Sequence, residues 1–483
     1  MAAMREVELD DPAPAPTASE PRNHRRRTRV LLATAGVVVL VALVGGQLVV
    51  NAHDRAAAAH LVGVVDDLAS PPRVLREEPP QRSVMWRGAV DDDTVAVLQI
   101  ADDGSQQLSA TSTRTGDRRW TATLAGPSAP LSVDASTGEI HGDSTCTSPV
   151  EDPAPAHVVC LVSDGYSRVS PQLGSAAASQ ATTALPTTTV VDVVDTADGS
   201  VAAHWAVTGS AVLAPERDLV VVAGSDSAQL FVAAYALATG EQRWTARVPL
   251  VVPEPDSLVG RTTSLVRSGT DIAVETFGTR VLLDRHGGLV RGDLGTESTN
   301  VSFVSRTGLL QLQNGADYRA TTTVVTTSST SDVTVPGMPV RVGVDDGSLS
   351  DVVFTTGLGL QAWDVRTGAP RWHADDIHPS YADAIVLDGT LYVPTYAGVV
   401  ALDGWSGHRH WQRGTTSPDL MTTDGDRVVV GWSQSDTLAA YARSTGEERW
   451  QIPYPQGIVA LQQIGRRLYG QRTDRSLVAL VSP

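Results

Sequence analysis

A glycine and a tryptophan recur four residues apart along most of this chain. The pairs are Gly116 and Trp120, Gly240 and Trp244, Gly368 and Trp372, Gly407 and Trp411, and Gly446 and Trp450. The interval between successive Trp is 39 residues from Trp205 to Trp244, from Trp372 to Trp411 and from Trp411 to Trp450. From Trp244 to Trp372 it is 128 residues, about three units in which two Trp are lost. From Trp120 to Trp205 it is 85, one unit carrying a long insertion. A fixed period of this size means stacked copies of one supersecondary unit. Within a unit the pattern is short and β-like, as in Arg427–Trp432 and Thr437–Tyr441, then a Ser444-Thr445-Gly446 turn into Glu448–Gln451. Counting the strand before these gives four strands in about 40 residues, the pattern of a propeller blade, with no space for a long helix. The glycine suits a tight hairpin that needs positive φ. The tryptophan falls on the outermost strand, where its ring can cover the next blade and its N–H meet a backbone acceptor. Trp86, Trp120, Trp205, Trp244, Trp372, Trp411 and Trp450 are therefore assigned to packing.

The fullest copies are Ala362 to Trp372, Ala401 to Trp411 and Ala440 to Trp450, which share A-h-D-x-x-(T/S)-G-x-x-x-W, loosest at Ala442. A degenerate copy is Leu282 to Val290. This pattern resembles the pyrroloquinoline-quinone-like repeat of eight-bladed propellers. That family includes a non-catalytic lipoprotein of outer-membrane protein assembly and the quinone-dependent alcohol and glucose dehydrogenases. The resemblance spans about Ser83 to Leu480, is strongest at 372–450 and is weakest at 121–200 and 290–345. It implies an all-β propeller of four-stranded blades, eight in number, with seven or nine admitted by the irregular 290–345 stretch. Ser83 to Arg87, carrying Trp86, reads as a lone outer strand. The C-terminal strands 467–470 and 476–480 lack a Trp, so the two ends of the chain are expected to share the last blade.

Ahead of the repeats the chain changes character. Residues 1–29 read as a disordered cytoplasmic tail ending in Arg22, Arg25, Arg26, Arg27 and Arg29. Val30 to Val50 is a 21-residue run without a charge. At about 1.5 Å per residue it spans a hydrocarbon core of about 30 Å, and it is longer than a signal-peptide core. The basic cluster beside it should stay in the cytoplasm, so this is read as a signal-anchor with the remainder outside. Residues 51–82 read as an Ala-rich helical stalk to Ala69 followed by a Pro-rich linker, and 83–483 as the propeller.

The net charge is −17, and the tail (six Arg, five acids) contributes +1, so the outer part carries about −18. Such a surface excludes nucleic acid as a partner. The basic residues, 37 in all, are Arg without a single Lys. Cys146 and Cys160, an even pair placed outside the membrane, are expected to form a disulfide, two buried thiols being the alternative.

Catalytic patterns are missing from the sequence: no G-x-S-x-G, H-E-x-x-H or Walker loop occurs. A quinone dehydrogenase would need calcium held by several oxygens, and often two adjacent Cys, whereas these Cys are fourteen apart. Acid clusters such as Asp91 to Asp93 and Asp345-Asp346 read as solvated loops. His373 and His378 flank Asp375 and Asp376, where a metal site is the alternative to a plain surface; His408 and His410 read as surface. No catalytic, cofactor or metal residue is assigned. The expected function is a non-catalytic, membrane-anchored scaffold for protein or polymer partners of the cell envelope. The alternatives are a quinone- or calcium-dependent oxidoreductase and an envelope ligand sensor, which would need a partner because only 29 residues lie inside.

Overall fold

The computed structural model describes the chain from residue 61 onward, apart from residues 78–83, 92, 132–138, 150–154, 170–181, 185, 227, 251–262, 277–278, 293, 295–300, 306–307, 315–319, 456, 474–475 and 483. The expected tail and transmembrane run lie outside the described residues. Among the described residues no helix is long and apolar enough to cross a membrane. Apart from three short 3-10 turns, their regular structure is all strand.

Nine sheets follow one another, each built on four antiparallel strands; the seventh carries a fifth, Val342–Asp345, which pairs parallel to Ala384–Leu387. From innermost to outermost strand, blade 1 is Val84–Asp91, Thr94–Ile100, Gln106–Ser112 and Arg118–Ala125. Blade 2 is Thr145–Thr147, His157–Ser163, Thr189–Asp195 and Val201–Ala206. Blade 3 runs from Ala211–Glu216 to Gln242–Pro249, blade 4 from Ser264–Ser268 to Leu289–Arg291, and blade 5 from Val301–Ser305 to Val333–Pro336. Blade 6 runs from Met338–Pro339 to Pro370–Ala374, blade 7 from Ala384–Leu387 to Arg409–Arg413, and blade 8 from Leu420–Thr423 to Glu448–Pro453. Blade 9 is Ile458–Ile464, Arg467–Arg472, Leu477–Val481 and, outermost, Arg73–Glu77. The expected count of eight is corrected to nine. A small extra sheet joins Glu139–Gly142, ahead of blade 2, to Tyr166–Val169 and Thr182–Ala184, inserted between the second and third strands of blade 2.

The ring closes, because each of the nine blade interfaces has its own apolar cluster. Blade 8 shows how strand periodicity builds two of them. Val428, Val430, Ala439 and Tyr441 pack toward blade 7. The intervening Val429, Leu438 and Ala440 pack toward blade 9. Successive side chains point to opposite faces of a sheet, so a strand buried on both sides reads as an unbroken apolar run. The closing interface joins Val95 and Val97 of blade 1 to Tyr469, Leu477 and Ala479 of blade 9.

The two chain ends do share the last blade, but not through Trp86. Arg73–Glu77 supplies the outermost strand, pairing Arg73 with Val481 and Val74 with Leu480. Trp86 instead lies in the innermost strand of blade 1, so its assignment to the repeated outer position is corrected. The described end of the expected stalk also differs: residues 61–70 are not helical but form a buried strap. Val64 packs into the interface of blades 7 and 8, and Val65 and Leu68 into that of blades 8 and 9. The Val65 amide donates to the Thr423 carbonyl at 2.8 Å, and the Asp66 amide to Arg466 at 2.7 Å. Asp66 also pairs with Arg466 at 3.0 Å, and Asp67 with Arg427 at 3.1 Å. Helix propensity of the Ala-rich stretch gives way here to burial of Val64, Val65 and Leu68.

Candidate interaction face

In the up-and-down order of blades 1 to 8 the first-to-second and third-to-fourth strand turns belong to one face of the disc. The second-to-third turns and the blade-to-blade connections lie on the other, here termed the connection face.

The repeat residues belong to the first face. The turn opens on an acid in two of the three fullest copies, Asp364 and Asp403. Asp364 Oδ1 accepts the amides of Arg366 and Thr367 and the Thr367 hydroxyl. Asp403 does the same for Trp405 and Ser406. The Ser406 hydroxyl is the main cause holding the Asp403 carboxyl below its usual pKa. The turn ends on glycine with φ between +65° and +82° at Gly116, Gly199, Gly240, Gly287, Gly368, Gly407 and Gly446.

Five of the repeat Trp lie on the glycine turn of the following blade. A Cβ on Gly446 would stand 2.6 Å from Trp411 Cδ2, and one on Gly407 2.7 Å from Trp372 Cδ2. Gly199, Gly240 and Gly287 meet Trp120, Trp205 and Trp244 in the same way. The indole N–H donates to the carbonyl of the second turn residue: Trp120 to Thr196 at 2.8 Å, Trp244 to Arg285, Trp372 to Gly404 and Trp411 to Arg443, each at 2.9 Å. Trp205 stands two residues further along its strand, six after Gly199, and its buried N–H has no acceptor. Trp450 faces blade 9, whose outer strands come from opposite chain ends and so share no hairpin. The strap fills that place, with Trp450 donating to the Leu68 carbonyl at 2.9 Å.

Where the motif lapses, other side chains hold the interface. Blade 4 carries Arg291 on its outermost strand. Its guanidinium donates to the Thr326 carbonyl at 3.0 Å and forks onto Asp332 at 3.0 Å. On blade 5, Val333 takes the ring's place against Gly368. Sequence reasoning missed Arg291, since only its position in the unit could have marked it.

Cys146 and Cys160 face each other across adjacent strands and form a disulfide, with Cα atoms 4.0 Å apart. The next strands extend that row to Asp192 and His204. Asp192 is buried, which raises its carboxyl pKa, opposed by the His204 Nδ1 contact at 2.5 Å. His373 lies 2.9 Å from Asp375, while Asp376 pairs with Arg409. Among the described residues no three His, Cys, Asp or Glu side chains converge to hold a metal ion. The two Cys are bonded to each other inside the blade 1–2 core. Buried in that core, these two Cys are not placed to cover a bound quinone.

The connection face carries a different composition at blades 6 and 7. Tyr381 is 91% exposed, Leu358 86%, Tyr396 56% and Met338 47%. Their loops form one surface. The Ser380 amide donates to Pro394 at 2.8 Å, and Tyr396 to the His378 carbonyl at 3.3 Å. Tyr381 and Tyr396 meet edge to face at 6.4 Å. Gly359, beside Leu358, packs against Ala374 and Asp375 at the root of the same connection, and Gly357 against Gly337. Large apolar side chains gathered on one exposed face are unusual for a surface with no partner. Tyrosine is enriched at protein interfaces because it offers a rigid apolar ring with a polar tip.

The family profile described as outer membrane protein assembly factor BamB matches residues 397–481. No curated protein matches the chain. Among solved structures, BamB from Moraxella catarrhalis is 14% identical, with 83% of this chain and 86% of that one covered and a TM-score of 0.27. Quinohemoprotein alcohol dehydrogenase from Comamonas testosteroni is 15% identical, with 86% and 78% covered and a TM-score of 0.41. Sqt1 from Saccharomyces cerevisiae is 8% identical, with 86% and 100% covered and a TM-score of 0.45.

Proposed function

We infer that this PQQ-like β-propeller works as a non-catalytic scaffold, anchored by residues 30–50 with its disc outside the cytoplasm, and binds a protein of the cell envelope. The observation that carries the reading is the cluster of Tyr381, Tyr396, Leu358 and Met338 on one face of a rigid ring. The repeat residues are engaged in blade-to-blade packing, which leaves the loops as the variable, accessible element. The Cys146–Cys160 disulfide accords with an oxidising compartment. The Arg cluster before a 21-residue uncharged run accords with an inward N-terminus.

The test is co-purification from membranes under mild detergent. Tyr381→Ser with Tyr396→Ser should lose the partner while leaving the thermal melt unchanged; retention of the partner would overturn the assignment of this face. Anchoring is read separately by extracting membranes with alkaline carbonate, where release of the full-length chain would refute it. Quinone-dependent turnover by the purified protein with added calcium would replace the scaffold reading with the oxidoreductase one.

A further inference from the structure

The repeat supplies an internal reference for every position of the blade. Immediately before the docking Trp stand Arg119, Arg243, Arg371 and Arg449 in blades 1, 3, 6 and 8. Each reaches a carboxylate: Arg119 to Asp91 at 3.1 Å, Arg243 to Glu241 at 3.8 Å, Arg371 to Asp364 at 2.6 Å and Arg449 to Glu447 at 3.1 Å. Blade 2 has His204 before Trp205, paired with Asp192 at 2.5 Å, and blade 7 departs from the arginine pattern twice. Its residue before Trp411 is His410, and two positions earlier, where the four arginine blades have Asp117, Glu241, Ala369 and Glu447, it has His408.

Both imidazoles are exposed on Arg409–Arg413 and the turn leading into it, the outermost strand of that sheet. Their rings meet edge to face with centroids 5.9 Å apart. Asp403 occupies the place that Asp364 holds in blade 6, where it receives Arg371. So two metal-ligating side chains replace an anion-pairing arginine and a residue that is acidic in three of the four other blades. Neither the turn nor the docking of Trp411 requires them, as the remaining copies show.

We propose that His408 and His410 form a two-imidazole site for a borderline divalent transition metal on the rim of blade 7. Metal–nitrogen bonds are about 2.1 Å, so the two donor nitrogens must come to roughly 3 Å of each other. Rotation of two exposed rings already in contact supplies that approach. No third His, Cys, Asp or Glu side chain converges with them among the described residues. The remaining positions are then left to water or to ligands from another molecule. Imidazole donors select copper(II), nickel(II) and zinc(II) over magnesium and calcium, with copper bound most tightly.

The repeat also designs the test. His410→Arg restores the residue of four other blades, and His408→Glu that of blades 3 and 8, so both variants should keep the wild-type melt. Titration calorimetry of the purified protein with copper(II) should show one site per chain that weakens at least tenfold in either variant. Copper paramagnetic resonance at one equivalent should lose the coupling to two imidazole nitrogens in both. Nickel(II) and zinc(II) should bind more weakly at the same site, and magnesium not at all. Unchanged copper affinity and unchanged nitrogen coupling in the two variants would overturn the proposal.

Discussion

Gly446→Ala isolates the contact that locks one blade to the next. At φ +65° a side chain adds the left-handed penalty of about 1–2 kcal/mol. The new Cβ would stand 2.6 Å from Trp411 Cδ2, 2.7 Å from Cγ and 3.0 Å from Cε3. Trp411 is buried, and its N–H is held by the Arg443 carbonyl at 2.9 Å. The ring therefore cannot swing aside without losing that hydrogen bond, and overpacking of this kind costs a further 1–3 kcal/mol or so. The total is roughly 2–5 kcal/mol. Gly269→Ala is the matched control: φ is +61°, and no atom lies within 4 Å of the added Cβ. It should lose only about 1–2 kcal/mol. Urea unfolding followed by tryptophan fluorescence reads both. Equal losses for the two substitutions would refute the claim that the indole–glycine stack holds the ring. Combining Gly446→Ala with Trp411→Leu should give less than the sum of the two, because both act on one contact.

Other outcomes follow from the same geometry. Trp450→Phe removes the donor to Leu68 and should lower stability by about 1 kcal/mol. Hydrogen exchange should then speed up at the Leu68 amide, which donates to buried Asp424 at 3.0 Å; unchanged protection there would contradict a strap held by Trp450. Reducing Cys146–Cys160 should lower stability by around 3 kcal/mol for a loop of about 15 residues, with non-reducing mass spectrometry confirming the bridge in the starting material. Asp192 has its folded pKa raised, chiefly by burial. Its penalty is present above that folded pKa and is relieved as pH falls toward the ordinary carboxylate value. Asp192→Asn should therefore be more stable than wild type at neutral pH, with the gap narrowing in acid; a gap that widens in acid would reverse the sign assigned to burial.

The docking motif was legible because it repeats both partners of one contact, a ring and a turn without a Cβ. Spacing alone exposed Trp372, Trp411 and Trp450. The blade count was not legible, because the motif lapses at both partners of one interface. Blade 4 offers Arg291 in place of a ring, and the facing turn of blade 5 offers Asp332 in place of glycine. An ion pair in place of an aromatic stack leaves no period to count. Trp86 misled for a different reason. A β-like segment with a Trp near the start of the repeats reads as an outer strand, and only its pairing with Thr94–Ile100 marks it as innermost. The strap was hidden because its Ala-rich approach favours a helix in isolation, while the burial of Leu68 depends on residues more than 350 positions away. The connection-face cluster carries no repeat signal at all, since its residues lie in loops that differ from blade to blade.

If the repeats build the ring, the connection face of blades 6 and 7 is left to receive a protein partner. Site-specific photo-crosslinking in intact cells addresses it directly. A benzophenone amino acid placed at Tyr396 on that face, and at exposed Trp405 on the opposite face, should give one discrete protein adduct from position 396 and none from position 405. No adduct from 396, or the same adduct from both faces, would contradict it.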